Sequence, residues 1–158
     1  MHERVLTFVE CARAEYDIDP EVVEFPDGTK TAADAAAAIG CETAQIASSL
    51  VFEADGRLVI SVTSGANRVS EAVLADHFGV PTDAVSMADP DRVREEVGWT
   101  IGGVPPICHE TAVPVVFDET LLEHDEVWTA AGTPTAVFPI ESEQLAELTD
   151  AAVISVTG

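Results

Sequence analysis

The sequence predicts a single-domain α+β protein built on one mixed, mostly antiparallel sheet. Three observations point there. The 158 residues are 47% hydrophobic and include no polar or repetitive stretch that reads as a linker, so one core is expected over residues 1–158. Strand-like segments outnumber helical ones. Short turns rather than long crossovers join most of them, which favours antiparallel neighbours.

Val5, Phe8, Val9 and Ala12 recur at helical spacing, so the chain opens with an amphipathic helix ending near Tyr16. Residues 21–25 read as a short strand closed by the turn residues at 26–28. Thr31 with Asp34 three residues on resembles a capping box, and Gly40 suits a C-terminal cap, so the alanine-rich run between them is a short helix. Residues 46–52 and 58–63 are strands joined at the Asp55-Gly56 turn, with Leu58, Ile60 and Val62 alternating on one face. A helix follows from about Ser70 to Phe78, stopped by Gly79 and Pro81. A second starts at Asp89-Pro90 and runs to Val97, with Gly98 as its cap. Residues 113–117, 126–130 and 135–140 are strands, 141–148 a helix with Leu145 and Leu148 inward, and 153–156 a terminal strand.

The formal charge is −22, and Lys30 is the sole lysine among seven basic residues. Self-repulsion at that density opposes compaction in dilute buffer, whereas at molar salt the screening length falls to about 3 Å. Carboxylate excess with lysine depletion therefore predicts a protein of a salt-filled cytoplasm, a halophile and by expectation an archaeon. The acids are dispersed among periodic apolar positions, which excludes a disordered acidic tail. No run is long and apolar enough for a bilayer, and nothing at the N-terminus reads as a signal peptide, so a soluble cytoplasmic protein is expected. Cys11, Cys41 and Cys108 cannot all pair. Cys11 and Cys41 read as packing residues and Cys108 as a buried or surface thiol. Cys108-His109 lacks the CxxC or HxxxH partner a metal site needs, so no metal and no cofactor are expected.

The chemistry-bearing stretch is GWTIGGVPPICH at 98–109. Adjacent Gly102 and Gly103 let main-chain N–H groups approach a ligand with no Cβ between, and Pro105 and Pro106 stiffen the exit. Such a loop suits an oxyanion or a carbonyl, although a plain tight turn between helix and strand has the same composition.

Together with TAADAAAAIGCETAQIASSLVF at 31–52, SGANRV at 64–69 and DEVWTAAGTPTAVF at 125–138, this stretch resembles the YbaK/ProX family of aminoacyl-tRNA deacylases. These are free-standing relatives of the editing domain in bacterial prolyl-tRNA synthetases. The resemblance covers residues 31–156, with residues 1–30 adding the first helix and strand. It implies a β-barrel-like sheet wrapped by helices, and hydrolysis of the ester joining a wrong, small amino acid (alanine or cysteine type) to the 3′ end of tRNA, with proline tRNA the expected carrier. The implied partners are that tRNA end and, transiently, prolyl-tRNA synthetase, with no membrane. Gly102, Gly103 and Ser48 are the implied catalytic positions. Ser49, Asn67, Arg68, Val104, Pro105, His109 and Thr135 are the implied substrate contacts.

Two departures bear on mechanism. Most members carry a lysine at the position of Ser48, where an ammonium meets the anionic tRNA end far better than a hydroxyl does. The turn commonly reads Gly-Thr-Pro-His, whereas here Thr135 follows Pro134; relatives also often have glycine at Cys108. Arg68 is one of few cations available for a phosphate, yet Asn67-Arg68 equally reads as a helix cap beside a surface charge. His109 suits acid/base work but has no partner visible in the sequence. Trp99 and Trp128 could stack on a terminal adenine or belong to the core. Three functions stay open: a working deacylase, a binding module of the same fold without turnover, and a purely structural or protein-interaction role.

Overall fold

The computed structural model describes residues 2–25 and 31–158. Helix α1 (Glu3–Tyr16) buries Val5, Phe8, Val9 and Ala12, as their spacing predicts. Thr31 caps α2 (Ala32–Ile39) by accepting from the Asp34 N–H at 3.1 Å, and Gly40 ends it at φ 89°. Ser70 and Gly79 bracket α3 (Glu71–Phe78) in the same manner, and Asp89 caps α4 (Pro90–Glu96). Helix α5 (Ser142–Thr149) buries Leu145.

The strands are β1 (Val23–Glu24), β2 (Ile46–Ala54), β3 (Arg57–Ser64), β4 (Val85–Met87), β5 (Val115–Asp118), β6 (Glu126–Ala130), β7 (Ala136–Glu141) and β8 (Ala152–Ile154). Strands β2 and β3 form the expected hairpin, with Asp55 and Gly56 at φ 51° and 85°, the pair of left-handed residues a tight two-residue turn needs. The first strand is shorter than its apolar run suggested. The expected turn at 26–28 lies outside the described residues. Strand β4 was not foreseen, since three residues are too few to show alternation.

The sheet runs β1-β7-β6-β2-β3-β5-β8, with β4 also on β2. Pairings β1–β7, β6–β7, β2–β3 and β2–β4 are antiparallel, while β2–β6, β3–β5 and β5–β8 are parallel. It is mixed as expected. It does not close: β1 and β8 end the order unpaired with each other, which corrects the barrel-like expectation to an open sheet flanked by helices. On one face, Ala47, Val51, Leu58, Ile60 and Val62 meet α1, α4, α5 and the 99–108 loop. On the other, Phe52 and Val59 meet α3, and Ile46 meets α2. Both faces are thus covered, which is why β3 is buried on nearly every residue rather than alternately. Among the described residues no helix is long and apolar enough to cross a membrane.

Candidate functional site

The site begins as a break in strand pairing. Strand β2 pairs β3 along its length, but on its other edge β6 takes only Ile46 and Ala47, and β4 takes Phe52 to Ala54. Gly65 N–H donates to Ile46 O, so even-numbered residues of β2 bond β3 and odd-numbered ones turn their N–H and C=O to the opposite edge. Ala88 N–H meets Val51 O there at 3.1 Å. Ser49 is left with its main-chain groups facing the gap.

A cleft of about 230 Å³ occupies the gap. The first turn of α2 (Thr31, Ala32, Ala35), Ile101, Gly102 and Val104, Trp128 to Ala130, and Pro134 form its walls. Among the described residues, none of those lining it carries an ionisable side chain. Two hydroxyls on this lining, Ser49 Oγ and Thr129 Oγ1, are buried without a hydrogen-bond partner among the described residues.

The 98–109 loop is held to α1. Arg4 lies 4.2 Å from the Trp99 ring centroid and donates to Gly98 O; Trp99 packs edge-on against Phe8 and donates from Nε1 to Cys108 O at 2.8 Å. Within the loop, Gly103 N–H closes a turn on Thr100 O at 2.9 Å, with Gly102 at φ 92° where such a turn demands a left-handed residue. The expectation of two free glycine amides is thereby corrected. Gly103 has spent its donor, and a Cβ there would lie 2.7 Å from Thr133 Cα, so its role is close approach of two loops. The Gly102 N–H has no acceptor among the described residues, and Gly102 lines the cleft.

Reading all three cysteines as separate thiols is also corrected. Cys11 and Cys108 form a disulfide, Cα to Cα 6.2 Å across 97 positions, which ties α1 to the end of the loop. Cys41 keeps a thiol, whose pKa burial raises. Cys108 adopts φ 68°, a conformation glycine takes without strain. Cys11, Glu15 and Cys108 have potential metal-ligand atoms within 4.8 Å of one another, but sulfurs joined to each other offer no thiolate.

Of the residues expected at the site, Ser48, Ser49, Gly102 and Val104 line the cleft, with Ser48 and Ser49 on opposite faces of β2. The others do not. Pro105, within the loop, is buried. His109 sits in a different hollow beside Tyr16 and Leu148, its Nε2 2.8 Å from Pro105 O, and burial lowers its pKa. Asn67 spends its Nδ2 donors on Asp118 and Thr120, both at 2.9 Å, closing the SGAN turn onto the end of β5. Asp118 is buried and also accepts from Ser64 N–H and Thr120 N–H. Arg68 is exposed outside the lining. Thr135 accepts the Phe25 N–H at its carbonyl and holds β1, while its neighbour Pro134 lines the cleft. Trp99 is core, whereas Trp128, half-buried, is wall. Thr31, Ile101 and Thr129 were not foreseen; Thr129 alone left a signal, a polar residue on the inward phase of β6 between buried Val127 and Ala131.

The model of the aminoacyl-tRNA editing domain family matches residues 26–148. Among curated proteins, the chain is 27% identical over 134 residues to the uncharacterized protein YwhH of Bacillus subtilis, covering 84% of this chain and 83% of that one. It is 31% identical over 80 residues to the proline tRNA ligase of Moorella thermoacetica, 51% of this chain but only 14% of the ligase. Among solved structures, one described as a candidate trans-editing enzyme for prolyl tRNA synthetase is 38% identical with TM-score 0.86, covering 98% of this chain and 96% of that one. Another, from work on grafting linear epitopes onto scaffold proteins, is 32% identical with TM-score 0.92, covering 100% of this chain and 99% of that one.

Proposed function

The chain belongs to the aminoacyl-tRNA editing domain family, and we propose that it acts in trans to hydrolyse the ester of a small mischarged amino acid on tRNA, with proline tRNA as carrier. The observation that carries this reading is the uncharged cleft of about 230 Å³ at the break in β2, with the unspent Gly102 amide on its wall. That volume lies below the roughly 300 Å³ at which drug-sized pockets begin, and suits a small aminoacyl group.

In the proposed reaction water adds to the ester carbonyl, negative charge moves to the carbonyl oxygen, and collapse of the adduct releases the ribose oxygen. The Gly102 N–H donates to that developing oxyanion. A single donor of this kind is worth about 10²–10³ in rate. With neither imidazole nor carboxylate among the described residues of the lining, the water's proton is relayed through the neighbouring ribose hydroxyl or solvent to the departing ribose oxygen, which leaves protonated. Ser48 Oγ offers the tRNA end a neutral hydrogen bond at the position of the family's lysine. The test is release of amino acid from alanyl- and cysteinyl-tRNA in molar KCl; no release above buffer refutes it.

A second reading, a module that binds the aminoacyl end without turnover, is favoured by the spent Gly103 amide together with Ser48. It predicts tight binding of a non-hydrolysable analogue with no hydrolysis, and a large gain of hydrolysis in Ser48→Lys.

A further inference from the structure

We propose that the cleft selects aminoacyl groups whose small side chain ends in a hydroxyl or thiol, and that Thr129, with Ser49, reads that group. The inference rests on the deacylase reading of the same site. Thr129 is 1% exposed, and its Oγ1, like Ser49 Oγ, has no partner among the described residues. The register Ala47↔Thr129 puts Thr129 on the same face as Ala47, and Ser49 lies two residues along that face, so the two hydroxyls are diagonal neighbours on adjacent strands. On that face the cleft lining is otherwise apolar: Ala47, Val51 and Val104.

A buried hydroxyl with no partner is costly, and valine would fill the Thr129 site without that cost. Each hydroxyl can donate once and accept twice. A ligand hydroxyl or thiol placed between them donates to one and accepts from the other, satisfying both. An alanyl methyl leaves both orphaned. Sites built to hydrogen-bond a group reject the analogue lacking it far more strongly than apolar pockets reject a missing methylene. The α-ammonium, present on every candidate substrate, cannot supply such selectivity.

The experiment compares kcat/KM for seryl-, cysteinyl- and alanyl-tRNA with the wild-type protein, Thr129→Val, Thr129→Ser and Ser49→Ala in molar KCl. We expect wild type to favour the seryl and cysteinyl esters by about tenfold or more. Thr129→Val should collapse that ratio and Thr129→Ser should restore it. Equal or faster alanyl hydrolysis by wild type, or a Thr129→Val loss that is uniform across the three, overturns the inference. Calorimetry with 3′-amide-linked seryl- and alanyl-adenosine gives a readout independent of turnover. Absence of hydrolysis with tighter seryl binding sinks the deacylase reading and sustains the selectivity; equal binding sinks the selectivity.

Discussion

Gly103→Ala separates a spacing role from a donor role. Alanine retains the N–H, and Gly103 does not occupy the left-handed region, so neither the Thr100 turn nor the local backbone forbids it. What forbids it is contact. The new Cβ would stand 2.7 Å from Thr133 Cα, 2.8 Å from Thr133 C and 3.0 Å from Pro134 N, all main-chain atoms that no rotamer change can move. Overpacking of this kind costs about 1–3 kcal/mol. In a domain of this size each kcal/mol lowers Tm by roughly 2–4 °C, so a fall of roughly 2–12 °C is expected by calorimetry. The displaced loops are the two that carry Gly102 and Pro134, so hydrolysis should fall as well. Gly102→Ala meets only Pro134 Cγ and Cβ, at 3.5 and 3.7 Å, ordinary contacts, and its penalty comes instead from φ 92°. A Gly103→Ala protein that melts with wild type refutes the spacing argument.

Reducing the Cys11–Cys108 bond, or replacing Cys11 by serine, releases a loop closed across 97 positions, and chain entropy puts the loss near 4–5 kcal/mol; the guanidinium midpoint of unfolding reads it, and an unshifted midpoint refutes the crosslink. Burial lowers the His109 pKa, so below its ordinary value near 6.5 the unfolded chain binds more protons than the folded one. Stability from this group is therefore complete above about pH 6.5 and is lost as pH falls through the folded value; His109→Gln should flatten that part of a pH-denaturation profile. For salt, wild-type KM for aminoacyl-tRNA should stay level or fall as KCl rises, whereas Ser48→Lys should add a rising component with a log–log slope of about 0.7–0.9, that of one phosphate contact. Equal slopes for both proteins refute a cation-free mode of binding.

What was legible in the sequence was local chemistry. Thr31, Ser70 and Asp89 cap helices because their side chains reach N–H groups two or three residues on, and Asp55-Gly56 turns because both residues tolerate positive φ. The cleft was legible only in part. Ser48, Ser49 and Gly102 line it, but the gap beside Ser49 depends on where β6 and β4 stop, and no residue in β2 encodes that. Gly103 and Gly102 are indistinguishable in sequence; one turn spends one amide and spares the other. His109 follows the glycine loop closely enough to suggest a shared site, yet beyond Cys108 at φ 68° its ring meets the Pro105 carbonyl instead. The Cys11–Cys108 bond needs α1 docked on the loop, a tertiary fact spread over Arg4, Phe8 and Trp99.

The charge of −22 and the neutral cleft have one explanation if the protein works in concentrated salt. At about 1 M the screening length is near 3 Å, shorter than a lysine side chain's reach, so an ammonium at position 48 would contribute little to holding a phosphate. Main-chain donors and buried hydroxyls act at contact distance and carry no net charge, so screening leaves them nearly intact. If that is its medium, a hydroxyl in place of an ammonium at position 48 costs little there and more in dilute buffer. On that condition the uncharged residue at position 48 and the acidic surface would be one adaptation, with the proposed recognition centred on the aminoacyl group within the cleft.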